Sequence, residues 1–238
     1  VKAMILAAGA GTRLRPLTEH MPKCMVPIGG KPLLEHTIEW LHGYGVNEIA
    51  INLCYMPGAV TEHFGDGRRW GVRITYSLEE DALGTAGGVR KMAGFFDGPC
   101  LVWYADNLSR CRIDRLIEQH RDHAGLATIA LFQRDDVSQS GIVGMDESGR
   151  ITRFLEKPRP AEVFSHWVNA GIYILEPSVL DCILSCGAPD FGRDVFPRFI
   201  AAGQPLYGYQ LASDEGLWWI DRPEDLARVR QAWEESAR

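Results

Sequence analysis

Lysine is scarce in this chain. Only Lys2, Lys23, Lys31, Lys91 and Lys157 are lysines among 25 cationic side chains, and the rest are arginine. Metal-binding cysteine pairs are absent too. The six cysteines, at 24, 54, 100, 111, 182 and 186, show no CxxC spacing, and Cys182 and Cys186 have no third ligand nearby to complete a zinc set. Several thiols lie in apolar runs and read as small hydrophobes, so reduced structural cysteines and a cytoplasmic location are expected. No apolar stretch approaches the roughly 20 residues that span a bilayer. Val1 to Ala8 reaches glycine too soon for a signal-peptide core. Positive charge is not in excess: the net charge is -6 and the sequence pI about 5.7, which excludes the basic surface a general nucleic-acid or acidic-membrane binder needs. No repeat, low-complexity tract or linker is visible.

What is present is an ordinary globular composition, 46% hydrophobic and 24% charged over 238 residues. Short apolar runs alternate with amphipathic stretches. Strands are expected at Ala3 to Leu6, Glu48 to Leu53, Arg73 to Ser77, Cys100 to Ala105 and Ala127 to Phe132. Helices are expected at Leu33 to Tyr44, Ala86 to Ala93 and Ile113 to His123. This βαβ rhythm predicts a three-layer α/β/α sandwich with a mostly parallel mixed sheet. The second half changes character. Gly141 to Met145 and Ile151 to Glu156 flank the turn Asp146-Glu147-Ser148-Gly149. Trp167 to Leu175 and Leu206 to Leu211 follow as strands, Val179 to Leu184 and Val195 to Ala202 as short helices. A last helix starts near Pro223. The expected organisation is one domain, with a nucleotide-binding half (1–135) and a half that walls off a second substrate (136–238).

The first strand runs into Leu6-Ala7-Ala8-Gly9-Ala10-Gly11-Thr12-Arg13. Small residues let backbone N–H groups approach phosphate oxygens, and Arg13 is placed to neutralise a polyphosphate. A tight turn without a ligand is the competing reading. The run is neither a Walker loop nor a Rossmann GxGxxG.

The next segment decides between them. Pro22-Lys23-Cys24-Met25-Val26-Pro27-Ile28-Gly29-Gly30-Lys31-Pro32 resembles the signature of the sugar-1-phosphate nucleotidyltransferases. Further blocks match in that family's order: Leu83-Gly84-Thr85-Ala86-Gly87-Gly88, the strand ending at Asp106, Phe154-Leu155-Glu156-Lys157-Pro158, and Val168-Asn169-Ala170-Gly171-Ile172-Tyr173. The resemblance covers nearly the whole chain. It implies a Rossmann-like, glycosyltransferase-A-like fold and a Mg²⁺-assisted reaction of an NTP with a sugar 1-phosphate, giving an NDP-sugar and pyrophosphate.

The resemblance also assigns roles. Arg13 and Lys23 grip the triphosphate, with Lys23 on the α-phosphoryl group. Leu6, Ala7, Ala8, Gly9, Gly11, Thr12, Gly84 and Thr85 line the nucleotide. Lys157 binds the sugar phosphate and Glu156 the sugar hydroxyls, joined by Asn107, Gly141, Asn169 and Gly171. In a strand Glu156 and Lys157 point to opposite faces, so a bend is needed for both to meet one ligand, and Pro158 is the candidate for it. Asp106 is the first Mg²⁺ ligand candidate, although Ala105 stands where the family often has glycine. The second is Asp221, in a block (Trp219-Ile220-Asp221-Arg222-Pro223-Glu224-Asp225) two residues shorter than the family's usual form. That short form resembles phospho-alcohol cytidylyltransferases. The competing reading of Asp221 is a helix-start residue.

Glu79, five residues before Gly84, is the candidate base reader, with Glu80 and Asp81 as competing acidic neighbours. A carboxylate accepts two hydrogen bonds from guanine's N1–H and N2–H₂, which favours GTP, and the Leu83 block is similar to mannose-1-phosphate guanylyltransferases. Mannose or a manno-heptose is the favoured sugar. Alternatives are a uridylyl- or thymidylyltransferase, a cytidylyltransferase for a polyol or choline phosphate, and a catalytically silent NDP-sugar sensor. Relatives often carry a C-terminal β-helix, and none is expected from this length. A homodimer is the candidate assembly, with Trp40, Phe95 and Phe96 taken as exposed aromatics, although core packing is the commoner use of such residues.

Overall fold

The computed structural model describes residues 1–183 and 189–236, with side chains as far as residue 233. Leu184 and Cys186 therefore lie outside the described residues. In chain order the strands and α-helices are β1 (Lys2–Leu6), β2 (Pro27–Ile28), β3 (Lys31–Pro32), α1 (Leu33–Gly43), β4 (Glu48–Leu53), α2 (Pro57–Phe64), β5 (Arg73–Leu78), α3 (Gly84–Lys91), β6 (Cys100–Tyr104), β7 (Asn107–Ser109), α4 (Ile113–His123), β8 (Ala127–Gln133), β9 (Gly141–Met145), β10 (Ile151–Glu156), β11 (Trp167–Leu175), α5 (Pro177–Cys182), α6 (Phe196–Ala201), β12 (Leu206–Gln210), β13 (Leu217–Trp219) and α7 (Pro223–Ser236). The chain forms two compact units that interleave in sequence. One holds Lys2–Ala82, Trp103–Arg110 and Gly216–Arg238; the other holds Leu83–Val102 and Cys111–Glu215, with Val1.

In the first unit β1, β4 and β5 are parallel, with Leu6 beside Asn52 and Asn52 beside Ser77 at their carboxyl ends. β1 and β4 are nearly continuous apolar runs, as strands covered on both faces require. Helix α1 buries Leu33, Leu34, Thr37, Ile38 and Leu41, the face its periodicity predicts. A separate core forms from Leu14, Val26, Ile28, Leu33, Leu108, Ile220, Leu226 and Val229. Its members come from the glycine-rich loop, the lysine segment, α1, β7 and α7, and they anchor the charged residues that sit beside them in sequence. β7 and β13 pair antiparallel, with Leu217 opposite Ser109, Trp218 opposite Leu108 and Trp219 opposite Asn107.

In the second unit β10 pairs antiparallel with β9, β9 with β11 and β11 with β8, while β12 runs parallel to β8. The sheet is mixed as expected, with its parallel rhythm in the first unit and mainly antiparallel pairing in the second. The predicted turn closes the β9–β10 hairpin: Asp146 Oδ1 accepts from the Ser148 and Arg150 amides. Phe154, Tyr173, Phe191 and Phe196 pack as an aromatic cluster with ring centroids 5.1–5.6 Å apart.

Two expectations need correction. Trp40, Phe95 and Phe96 are half-buried rather than exposed, with Trp40 against Tyr44 and Phe95 edge-on to Phe96. Each ring has an intramolecular neighbour. The strand before Asp106 ends at Tyr104, and Asp106 occupies the turn that leads into β7. Cys24, Cys54, Cys100 and Cys182 carry free thiols. Burial pushes the Cys24 and Cys100 thiols up to about 12, where they are inert. No helix of the described residues is long and apolar enough to cross a membrane.

Candidate active site

Four charged side chains from three distant stretches of the first unit converge. Lys23 Nζ donates to Asp106 Oδ2 at 3.1 Å and to Asp221 Oδ1 at 2.8 Å. Arg13 Nη1 lies 3.2 Å from Asp221 Oδ2. Backbone pairing explains how the two carboxylates meet. The β7–β13 ladder continues into a hydrogen bond from the Ile220 amide to the Asp106 carbonyl, which sets Asp221 beside Asp106. Lys23 begins the 3-10 turn Lys23–Met25. It packs so tightly on the glycine-rich loop that a Cβ at Gly11, where φ is +60°, would stand 2.8 Å from Lys23 Cβ. Gly11 is thus required twice, by its left-handed backbone and by the closeness of Lys23.

Lys23 is only 9% exposed. Burial alone would lower its pKa, but the Asp106 and Asp221 carboxylates outweigh that and hold the ammonium above the usual lysine range. The two aspartates differ. Asp221 spends both oxygens, one on Lys23 and one on Arg13. Asp106 keeps Oδ1 buried with no hydrogen-bond partner among the described residues. A buried orphaned carboxylate oxygen marks a place where a ligand fits. Two hard oxygen donors suit Mg²⁺, which uses one or two carboxylates and completes its shell with water and phosphate oxygens. Among the described residues no cluster of three His, Cys, Asp or Glu side chains could hold a metal unaided. The helix-start role belongs to Asp225, whose Oδ2 accepts from the amides of Asp221 and Arg222.

At the end of β1 the Ala7 amide donates to Asn52 Oδ1 at 2.9 Å, and Asn52 Nδ2 donates to Glu79 Oε1 at 2.9 Å. Glu79 is buried, 7% exposed. Sequence reasoning missed Asn52, because an asparagine inside an apolar strand carries no motif. Leu6 and Ala8 are partly covered and Ala7 is buried, Gly9 and Thr12 are exposed, and Gly9 has open space where a Cβ would stand. Asn107 is fully buried in β7.

The second unit gathers the other residues. Gly84 and Thr85 open α3, and Thr85 Oγ1 donates to Asp190 Oδ2 at 2.9 Å and accepts from the Phe191 amide. Asp190 Oδ1 also accepts from the Gly192 and Arg193 amides and so caps a π-helical turn, Phe191–Val195, that sequence reasoning missed. Glu156 Oε2 lies 2.7 Å from where a Cβ would sit at both Gly141 and Gly192. The two glycines make the slot that this carboxylate fills. The bend after β10 comes at Lys157 itself rather than at Pro158: Lys157 has φ +51°, and its amide donates to the Ser140 carbonyl. A left-handed lysine is strained backbone of the kind found at functional sites. Asn169 Oδ1 accepts from the Gly171 amide and Nδ2 donates to the Tyr173 hydroxyl, fixing the irregular stretch of β11 between Asn169 and Tyr173.

Burial raises the Glu156 carboxyl above the usual carboxylate range; Asp190 adds to the rise, and Lys157 and Arg193 oppose it. A native pKa above the unfolded value means that the ionised group costs stability at neutral pH. The cost fades as pH falls through the native pKa, where the folded form takes up the proton first. Glu156→Gln is therefore expected to melt above wild type at about pH 7, the gap closing in the carboxylate range near about pH 4. Thermal melts across that range check it. A gap that widens on acidification would show that burial does not govern this carboxyl.

With this geometry in place, the comparisons are consistent. Residues 2–234 match the family model described as nucleotidyl transferase, and the chain belongs to that family. It is 37% identical over 98% of its length to the UTP–glucose-1-phosphate uridylyltransferase of Synechocystis sp., covering 62% of that protein. It is 36% identical over 96% of its length to the mannose-1-phosphate guanylyltransferase of Mycobacterium tuberculosis, covering 63% of it. The chain thus spans less than two thirds of these relatives. Among solved structures, HddC from Yersinia pseudotuberculosis superposes with a TM-score of 0.83 at 24% identity, covering 98% of this chain and 99% of that one, and shares the fold.

Proposed function

We propose that this protein transfers a nucleotidyl group from an NTP to a sugar 1-phosphate and releases pyrophosphate. The observation that carries this reading is the cluster of Arg13, Lys23, Asp106 and Asp221 inside the family's signature segments. The nucleophile is a phosphate oxygen, already ionised because the second phosphate pKa is about 6. No catalytic base is needed. The chemistry needs cations and N–H donors around phosphoryl oxygens, which Arg13, Lys23 and the glycine-rich loop supply. Asp106 and Asp221 would hold Mg²⁺, whose contribution when bound is to offset charge on the phosphates. In the second unit Lys157 takes the sugar phosphate and Glu156 the sugar hydroxyls. The free cysteines, Cys24, Cys54, Cys100 and Cys182 among them, fit the expected cytoplasmic location.

GTP with a mannose-type 1-phosphate is the favoured pair, supported by buried Glu79 and by the Mycobacterium relative. A uridylyl transfer to glucose 1-phosphate is the second reading, favoured by the Synechocystis relative. Pyrophosphate release with four NTPs against several sugar 1-phosphates in Mg²⁺ separates them. Absence of turnover with every pair, together with tight NDP-sugar binding, would identify a silent sensor instead. Within the same assay Asp221→Asn is expected to raise the Mg²⁺ concentration for half-maximal rate by about tenfold, a loss typical of weakening one metal ligand. An unaltered Mg²⁺ response would remove Asp221 from the metal site.

A further inference from the structure

Asn52 sits at the middle of the three carboxyl ends of β1, β4 and β5, beside Leu6 on one side and Ser77 on the other. It is 2% exposed. The amide's orientation is fixed by its partners, because the Ala7 N–H can only donate, so Oδ1 faces it and Nδ2 is left to donate to Glu79 Oε1. Turning the amide over would set donor against donor and acceptor against acceptor, both buried. One side chain therefore joins the start of the loop read as the phosphate cradle to the carboxylate read as the base reader.

We infer that Asn52 is a positioning residue for base selection: by fixing Glu79 Oε1 against the end of β1, it holds the carboxylate in one register with the nucleotide. This rests on the reading of the site given above. Asn52 itself is buried, with both ends of its amide spent on Ala7 and Glu79. Its effect runs through Glu79, since a carboxylate held by a buried hydrogen bond cannot swing to suit another base. A site built on such fixed groups discriminates strongly, and loosening it costs discrimination before it costs catalysis.

The test uses three variants. Asn52→Asp keeps the acceptor for the Ala7 amide, removes the donor to Glu79 and sets two carboxylates together. Affinities for four NTPs are measured by calorimetry in Mg²⁺, alongside KM for sugar 1-phosphate and the melting temperature. The ratio of best to worst NTP affinity is expected to fall about tenfold or more, the worth of a hydrogen bond to a charged group, with KM for sugar 1-phosphate unchanged. The double variant N52D/E79Q restores the hydrogen-bond chain with only the 52–79 link reversed, an amide at position 79 donating to a carboxylate at position 52, while the Ala7 amide still donates. Its melting temperature should recover, and its preference should move toward uracil or thymine, whose edges pair with an amide. If N52D does not fold, Asn52→Ala removes the same donor without adding a charge or a new donor, and the same ratio is read. A folded variant that keeps the wild-type ratio overturns the inference, since a merely structural asparagine would lower only the melting temperature. A wild-type protein that binds no NTP would overturn the nucleotide reading, and this inference with it.

Discussion

Lys23→Ala is expected to lose turnover by about a thousandfold, equivalent to about 4 kcal/mol of transition-state stabilisation. The same change should lower the melting temperature in Mg²⁺-free buffer. The sequence places Lys23 on a loop, where truncation would leave the fold untouched. The structure places it nearly buried between two carboxylates. Removing one partner of a buried ionic cluster costs about 3 kcal/mol or more, because the remaining charges lose their compensation. Arg13 still reaches Asp221, so Asp106 carries most of the loss. Added Mg²⁺ should raise the melting temperature of the variant more than that of wild type. Steady-state kinetics and melts with and without Mg²⁺ check both halves. A variant that keeps wild-type kcat would end the role given to Lys23.

Asp106→Asn is expected to cost at least as much, about a thousandfold in kcat/KM, and to flatten the rate's dependence on Mg²⁺. It should exceed Asp221→Asn. Asp106 alone offers a buried oxygen not already taken by a cation, whereas Asp221 is shared with Arg13 and Lys23. The substitution also removes one of the charges that hold Lys23, so the lysine should shift toward Asp221. Metal titrations followed by pyrophosphate release distinguish the two aspartates. Equal losses would mean that they act as one unit, and a smaller effect at Asp106 would reverse the ranking.

Much of the architecture was readable because burial leaves a period. Helix α4 falls at Ile113–His123 as expected, and the β9–β10 hairpin and β11 match residue for residue. Helix α2 was not readable. It buries only Val60 and Phe64 and begins after a left-handed Met56, so no apolar stripe announces it. Strands β7 and β13 are three residues each, too short for alternation to register. At the site, Lys23, Asp106 and Asp221 stand in motifs, but their mutual contact depends on the β7–β13 pairing. Asn52 and Asp190 lay outside every motif. Their importance comes from partners that only folding brings close, Glu79 for one and Thr85 for the other. The need for a bend beside Glu156 is legible in the sequence, but its location is not, because proline is the obvious agent and a left-handed lysine is not.

The β7–β13 ladder also sets the timing of assembly. Lys23 and Asp221 are 198 residues apart in sequence. A ribosome that has completed the parallel strands, the lysine turn and the whole second unit has still not made β13. Until those three residues dock on β7, Asp106 and Lys23 lack their second carboxylate and Leu14 lacks the α7 side of its core. Contacts this distant pay their loop-closure entropy last, so the catalytic cluster should be a late event in folding rather than a nucleus. Competence in this protein would then wait on β13, the strand made last among those that build the cluster.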